Sequence, residues 1–307
     1  MEVISMSKLY YQKGDIKIFN QDNLSLLRQI SEESINLIYC DILYNTGKKF
    51  DDYDDNLGTP ENAVEWYEPR ISEMRRVLTK NGSIFIHCNW RIDSYIRILM
   101  DRIFGVNCFR NRIYRQHSDI RGFYSNFDSQ IDIILYYTKS PDDFVFHELY
   151  GTKPRIVPLF ENGEFEGRDD TRFVDVDEID LKSSSKHWLV SKKQFDKMIE
   201  NNEVKIIDGL PYRFSNVIPV GNLWNEPEMW DTYTRTGIAD AYDTPKPEAI
   251  LERIIKIASN PGDTVADFFL GGGTTAVVTK KLGRKGIFCD ISEKACKVTI
   301  SKLEKID

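Results

Sequence analysis

The sequence predicts an α/β fold built on a doubly wound, mostly parallel sheet, with an irregular region inserted into it. Three observations support this fold class. Short apolar runs alternate with amphipathic helical patterns towards both ends of the chain, a glycine turn joins one such run to a helix, and residues 141–240 show little periodicity. The 307 residues are enough for one large domain of this class with an insert.

In the first half of the chain, runs of apolar residues predict strands, because the strands of a parallel sheet are buried on both faces. The predicted strands are 16–19, 35–40, 83–88, 109–116 and 131–139. Apolar positions at spacings of three and four predict helices between them. These helices are 22–30, 61–79 and 91–104. We expect Pro69 to kink the second helix, Asn81-Gly82 to end it and Gly105 to end the third.

Beyond the insert, strands and helices alternate again and complete the sheet. The predicted helices are 245–259, 274–283 and 292–306, and the predicted strands are 263–269 and 285–291. The main domain is therefore expected in two halves, 1–140 and 241–307, with the insert at 141–240 between them.

Composition favours a globular protein of a reducing cytoplasm over a secreted or membrane protein. The five cysteines are scattered without a CxxC pair, which argues against a disulfide framework and a zinc site, and no metal is expected. No stretch approaches the roughly 20 apolar residues of a membrane-spanning helix, and no signal peptide is recognisable. Residues 161–180 alone carry a charge of −7, equal to that of the whole chain, so the remainder is neutral overall and contains basic segments.

The strongest local signal is the segment 267–290, where a strand ends in a glycine turn that leads into a helix and a second strand. Three glycines, 271–273, form the turn, and Asp290 ends the second strand nineteen residues after the first glycine. This spacing is typical of bare backbone that approaches a nucleotide-like ligand while an acid binds its ribose. Thr274 and Thr275 follow where a dinucleotide fingerprint needs a further glycine, which favours a cofactor without a pyrophosphate, such as S-adenosylmethionine.

Motifs along nearly the whole chain resemble those of the amino-group DNA methyltransferases of the permuted β group. DILY at 41–44 is similar to the catalytic Asp-Pro-Pro-Tyr of that family, and DFFLGGGTT at 267–275 and GIFCDIS at 286–292 are similar to its cofactor motifs. NQDNLSLL at 20–27 and YDTPKPEAILERII at 242–255 match further segments in the family's order. The resemblance implies a Rossmann-like sheet with an inserted target-recognition region. It also implies site-specific methyl transfer from S-adenosylmethionine to N6 of an adenine flipped out of double-stranded DNA.

The resemblance assigns roles to particular residues. The catalytic residues are Asp41, Ile42 and Tyr44. The cofactor-binding residues are Asp22, Asp41, Lys246, Pro247, Phe269, Gly271, Gly273, Thr274, Thr275 and Asp290. The basic segment around the strand 109–116 supplies the candidate DNA contacts, because arginine binds phosphate or reads guanine. These candidates are Arg110, Arg112, Arg115, Arg121, Tyr124 and Asn126.

The proposed chemistry explains why an acid and an aromatic residue stand together at a strand end. The lone pair of an aromatic amine is delocalised, and a carboxylate such as Asp41 that accepts its N–H makes the pair available. The Ile42 carbonyl accepts the second N–H, and Tyr44 stacks on the base, which must leave the duplex. Ile42 and Leu43 stand where the family usually has two prolines, so the carbonyl is kept while the rigidity of the proline ring is lost.

Several alternatives stay open on the sequence alone. Asp41 favours adenine, since cytosine-N4 enzymes of this type more often have serine there, and cytosine N4 is the competing target. The missing prolines also fit a catalytically impaired DNA-binding subunit of a methylation complex, and the glycine turn alone fits an unrelated nucleotide-binding enzyme. A homodimer and a cognate restriction endonuclease are compatible with the resemblance.

Overall fold

The computed structural model describes residues 9–49, 54–117, 129–151, 155–162, 186–215, 218–230 and 246–306. The chain divides into two units. The first comprises Met1–His147 and Gly221–Asp307, and the second comprises Glu148–Val220. Within the described ranges, no helix is both long and apolar enough to cross a membrane.

The described elements follow the alternation that the sequence predicts in the first unit. The strands, in chain order, are β1 Leu9–Lys13, β2 Ile16–Asn20, β3 Ile35–Asp41, β4 Leu78–Cys88, β5 Phe109–Gln116, β6 Ile131–Thr138, β7 Tyr150–Gly151, β8 Arg155–Pro158, β9 Phe160–Asn162, β10 Lys186–Trp188, β11 Val204–Ile207, β12 Leu210–Ser215, β13 Ile218–Pro219, β14 Leu223–Trp224, β15 Thr264–Asp267 and β16 Lys285–Asp290. The helices are α1 Asn23–Leu27, α2 Pro60–Val77, α3 Asp93–Phe104, α4 Lys192–Glu200, α5 Glu248–Ala258, α6 Thr274–Lys281 and α7 Glu293–Glu304.

Among the described residues, nine strands of the first unit form one sheet in the order β1-β2-β16-β15-β3-β4-β6-β5-β14. Strands β2, β16, β15, β3 and β4 are mutually parallel, whereas β6 is antiparallel to both β4 and β5. The predicted doubly wound, mostly parallel sheet is therefore confirmed. Because the parallel strands end at one edge, the residues that follow them converge there.

Helix α2 ends earlier than the sequence predicts. It was expected to reach residue 79 and to stop at Asn81-Gly82, but it ends at Val77, and β4 begins at Leu78. The pairing of Leu78 with Ile35 and of Ser83 with Leu37 leaves extra residues in β4, so Asn81-Gly82 lies in a bulge of a strand instead of at a helix end. The helix continues through Pro69, and the expected kink there stays a prediction.

The described part of the second unit consists of short elements, which fits the weak periodicity of the sequence there. Its described strands have two to six residues and form three small sheets, β10-β9, β11-β12-β8 and β13-β7, and its helix α4 is capped by Ser191. Its boundaries are narrower than the expected insert at 141–240. Residues up to His147 and the strand β14 belong to the first unit, and β14 pairs with β5.

A buried ionic cluster lies where β4, β5 and β6 meet at the carboxyl edge. Arg115 donates to Asp132 at 3.0 Å and to the Met229 carbonyl, and Asp132 also contacts His87 at 3.3 Å. Arg115 is fully buried, so the expectation that it contacts DNA is wrong. The alternation of β5 turns Ile113 and Arg115 towards the interior.

Removal of the Arg115 charge is expected to destabilise the fold. Burial alone would raise the pKa of Asp132, but His87, Lys246 and Arg115 hold it well below its usual range. Arg115→Met leaves this carboxylate buried without the guanidinium bonded to it, and we expect a loss of about 3–5 kcal/mol in the free energy of unfolding, measured by urea denaturation. The control Arg102→Met, at an exposed pair with Glu68, should change it by less than about 1 kcal/mol. Equal effects of the two substitutions would contradict the structural role of Arg115.

Candidate active site

The ends of three neighbouring parallel strands bring acidic side chains to one cavity. Asp41 ends β3, Asp267 ends β15 and Asp290 ends β16. All three line a cavity of about 510 Å³, together with Asp22, which follows β2. The cavity therefore joins the motif at 41–44 to the glycine turn, as the resemblance predicts.

Asp41 is held by two side chains that were both predicted to belong to the site. The Tyr44 hydroxyl donates to Asp41 Oδ1 at 2.8 Å, and Lys246 Nζ lies 3.1 Å from Asp41 Oδ2. Lys246 also donates to the Tyr44 hydroxyl at 3.1 Å. Burial, followed by the charges of Asp132 and Asp41, raises the pKa of Tyr44 well above its usual value, so Tyr44 remains a neutral donor. Each Asp41 oxygen keeps a lone pair for a further hydrogen bond.

The glycine turn places its backbone against Asp290. Gly271 has a φ of +50° and Gly273 one of +79°, both in the left-handed region that favours glycine. The Gly271 N–H donates to Asp290 Oδ2 and the Ser292 N–H to Asp290 Oδ1, each at 2.8 Å. The Thr274 hydroxyl donates to the Lys246 carbonyl at 3.0 Å, which ties the start of α6 to the segment before α5. The turn is thus built from bare backbone and an acid, as predicted.

Asp22 is oriented by residues that the sequence did not single out. Its carboxylate caps α1 through the Ser25 N–H and accepts from Arg70 at 3.0 Å. Although burial opposes ionisation, the hydrogen bonds from Ser25 and the Arg70 charge keep the pKa of Asp22 below its ordinary value. Arg70 in turn lies 3.5 Å above the Trp66 ring, and Trp66 packs beside Phe269. The sequence does not predict these contacts, because Arg70 and Trp66 look like ordinary surface residues of an amphipathic helix.

Asp267 is a further acid of the cavity that was not predicted. It is buried and accepts from the Thr275 hydroxyl at 2.6 Å and from the Phe269 N–H at 2.9 Å. Burial raises the pKa of Asp267 to about 7; these two hydrogen bonds oppose the shift, and the charges of Asp41 and Asp290 add to it. The sequence feature that could have predicted it is its position directly before the segment Phe-Phe-Leu-Gly, at the end of a strand.

Most of the predicted site residues of the described chain meet at this cavity. Those that line it are Asp22, Asp41, Ile42, Tyr44, Lys246, Phe269, Gly271, Gly273, Thr274, Thr275 and Asp290. Pro247 is buried at the start of α5 and is not among the lining residues. Arg110 stacks over Phe144 and Arg112 pairs with Asp93 at 3.2 Å, both outside the cavity lining. Arg121, Tyr124 and Asn126 lie outside the described residues.

A sequence profile of one protein family, described as DNA methylases of the N6/N4 type, matches residues 35–302. The chain is also 27% identical over 292 residues to the DNA adenine methyltransferase YhdJ of Escherichia coli strain K12. That alignment covers 94% of this chain and 82% of the relative. The predicted family resemblance is confirmed by these matches.

Two solved structures share the fold. The PvuII DNA methyltransferase, which is cytosine-N4-specific, superposes with a TM-score of 0.59 and 14% identity over 98% of this chain and 89% of that one. The complex of M1.HpyAVI with SAM superposes with a TM-score of 0.51 and 17% identity over 94% of this chain and 99% of that one. At these identities the likeness concerns the fold alone.

Gly273 is expected to tolerate no side chain, for a reason that goes beyond its backbone conformation. A Cβ at this position would lie 2.7 Å from the Thr299 Cβ, in α7. Gly283 offers a matched control, since it has a φ of +70° and no atom within 4 Å of such a Cβ. We expect Gly273→Ala to cost about 1–3 kcal/mol more unfolding free energy than Gly283→Ala, measured by urea denaturation. Equal losses would show that α7 yields without strain.

Proposed function

The chain belongs to the N6/N4 DNA methylase family, and from this premise we propose that it methylates N6 of adenine in double-stranded DNA, with Asp41 as the catalytic acid. The family match and the relatives confirm the predicted DNA methylation with S-adenosylmethionine as cofactor. The target base and the roles of single residues are the parts that we propose. One observation carries the residue roles: Asp41, Tyr44 and the glycine turn line the same cavity.

The residues of the cavity fit S-adenosylmethionine by charge and by shape. The cofactor carries a positive sulfonium, and the cavity is lined by six acidic side chains, those of Asp22, Asp41, Asp54, Asp55, Asp267 and Asp290. Gly271–Gly273 present bare backbone, so a ligand can approach the turn closely. We assign Asp290 to the ribose, Asp22 to the adenine amino group, and Phe269 beside Trp66 to the adenine ring. When bound, the cofactor supplies a methyl group that its sulfonium activates.

Asp41 and the backbone after it act on the target base. The Asp41 carboxylate accepts one N–H of the exocyclic amine and the Ile42 carbonyl accepts the other, which localises the nitrogen lone pair for attack on the methyl group. Lys246 and the Tyr44 hydroxyl hold the Asp41 carboxylate in one orientation, so little reorganisation is needed at the moment of reaction. The Tyr44 ring offers a face for the base.

Adenine is the proposed base because the acid at position 41 suits an N6 amine in this family and because the relative YhdJ is named an adenine methyltransferase. DNA recognition is proposed for Arg110 and Arg112, which are partly exposed on β5, and for the second unit, Glu148–Val220, as the target-recognition region. Arg121, Tyr124 and Asn126 stay candidates on the sequence. A cytoplasmic location, a homodimer and a cognate endonuclease stay predictions.

Incubation of the purified protein with tritiated S-adenosylmethionine and unmethylated plasmid DNA tests the function directly. We expect label in N6-methyladenine after digestion to nucleosides. Asp41→Ala should lower transfer by about 1,000-fold or more, because it removes the acceptor of the amine N–H, and should lower cofactor affinity far less, by about tenfold at most, because the other acids of the cavity remain. Calorimetric titration with the cofactor checks that the variant is folded.

Label in N4-methylcytosine would show that the target base is cytosine and would leave the proposed active site unchanged. Cofactor binding without transfer by the unmodified protein would favour the impaired DNA-binding subunit. Full activity of Asp41→Ala would refute the role of Asp41.

Cofactor affinity should increase with pH through the titration of Asp267. Its pKa of about 7 means that it is largely protonated near pH 6, and a cationic ligand binds the ionised form better. Binding therefore releases a proton below pH 7, and we expect roughly fivefold tighter binding at pH 7.5 than at pH 6. Calorimetry in two buffers of different ionisation enthalpy measures this proton. Asp267→Asn should abolish the proton release, and a variant that keeps it would place the titration on another group.

A further inference from the structure

The catalytic segment has no proline to stiffen it, and the structure shows what holds it instead. Ile42 and Leu43 follow the proposed catalytic acid, so neither φ angle is fixed by a ring. The Ile42 carbonyl and the Tyr44 ring must nevertheless keep a fixed position relative to Asp41. Ile42 itself is 3% exposed, so its side chain anchors only one end of the segment.

Two hydrogen bonds from neighbouring elements fix the backbone of these two residues. The Ile42 N–H donates to the His87 carbonyl at 3.1 Å, which extends the pairing of β3 with β4 by one step. A proline at position 42 could not make this bond, because it has no N–H. The Tyr67 hydroxyl, from α2, donates to the Leu43 carbonyl at 2.9 Å.

The residues that follow are held in the same way. Asp55 is buried, and its carboxylate accepts the N–H of Asn45 at 3.0 Å and the N–H of Thr46 at 2.9 Å. The Asn45 side chain bonds to the Leu57 N–H and the Gly58 carbonyl. The loop beyond Tyr44 is therefore fixed to the segment before α2. Along the chain, the contact of Tyr67 with Leu43 falls between these hydrogen bonds and Asp41.

We propose that Tyr67 is a positioning residue for methyl transfer, which sets the backbone at Leu43 by hydrogen bonding and thereby aims the Ile42 carbonyl and the Tyr44 ring at the target base. Tyr67 suits this role because it is 1% exposed and its ring packs against both Trp66 and Phe269, so the ring that carries the hydroxyl is held in place. The proposal rests on the proposed role of Asp41 and its neighbours in catalysis.

The geometry separates this role from ordinary packing. The Tyr67 ring contributes to the core, whereas its hydroxyl meets a backbone carbonyl of the catalytic segment. Loss of the hydroxyl keeps the ring and frees the peptide between Leu43 and Tyr44. The consequence should appear in the rate of transfer and not in cofactor binding, since Leu43 is one residue from each group that meets the base.

Tyr67→Phe tests the proposal, with Tyr137→Phe as the matched control. The Tyr137 hydroxyl is also buried and donates to Asp101 at 2.6 Å, but it lies between α3 and β6. Using unmethylated plasmid DNA and tritiated S-adenosylmethionine, we expect Tyr67→Phe to lower kcat about tenfold and to leave the cofactor Kd within about twofold. Tyr137→Phe should lower thermal stability comparably and leave kcat within about twofold.

A rescue variant adds a readout that a merely structural role would not move. The Leu43 N–H makes no hydrogen bond among the described residues, so Leu43→Pro can restrict the segment without removing one. We expect the kcat of Tyr67→Phe/Leu43→Pro to lie within about threefold of the kcat of Leu43→Pro alone, which is less than the loss in the original background.

Each outcome decides the proposal. A Tyr67→Phe enzyme with unchanged kcat, or with a kcat loss matched by Tyr137→Phe, overturns it, and this comparison stands even where Leu43→Pro does not fold. An undiminished effect of Tyr67→Phe beside an active Leu43→Pro also overturns it. Full activity of Asp41→Ala in the same assay marks the failure of the proposed function, whereas an inactive Asp41→Ala beside a fully active Tyr67→Phe marks the failure of this inference alone.

Discussion

The convergence of parallel strand ends is the constraint on which the site depends. Strands β3, β15 and β16 are neighbours and run in one direction, so the acids that end them must share one edge of the sheet. Carboxylates that share one cavity repel one another, and each needs its own hydrogen-bond donors to stay ionised. Asp41 has Tyr44 and Lys246, whereas Asp290 has two backbone N–H groups. A cavity of this charge is suited to a cationic ligand.

Asp267 shows what happens when the donors to a carboxylate do not fully offset its burial and the repulsion from other acids. Its two donors are neutral, it is more deeply buried than Asp41, and two other carboxylates act on it. Its raised pKa is thus a direct result of the sheet topology. In the cluster of Asp132, Arg115 and His87, the acid instead faces a buried guanidinium.

The sequence predicts the sheet and the glycine turn because both depend on local patterns, whereas the other cavity residues were predicted through the family resemblance. Apolar runs mark the strands, and the glycine turn and Asp290 are fixed by their spacing along one strand–helix–strand unit. Contacts between segments that are far apart in the sequence produce no local pattern that could predict them. Arg115 lies in a strand with the composition of a surface strand, yet it is buried and paired with Asp132. Tyr67 looks like an ordinary core residue of an amphipathic helix, and only its hydroxyl contact to Leu43 distinguishes it.

Lys246 connects the two halves of the site more closely than the sequence order suggests. Its ammonium bonds to Asp41 and Tyr44, and its carbonyl accepts the Thr274 hydroxyl beside the glycine turn. One residue therefore contacts Asp41 through its side chain and the residue after the glycine turn, Thr274, through its backbone carbonyl. Under the proposed roles, the same residue links the acid that meets the base to the turn that meets the cofactor.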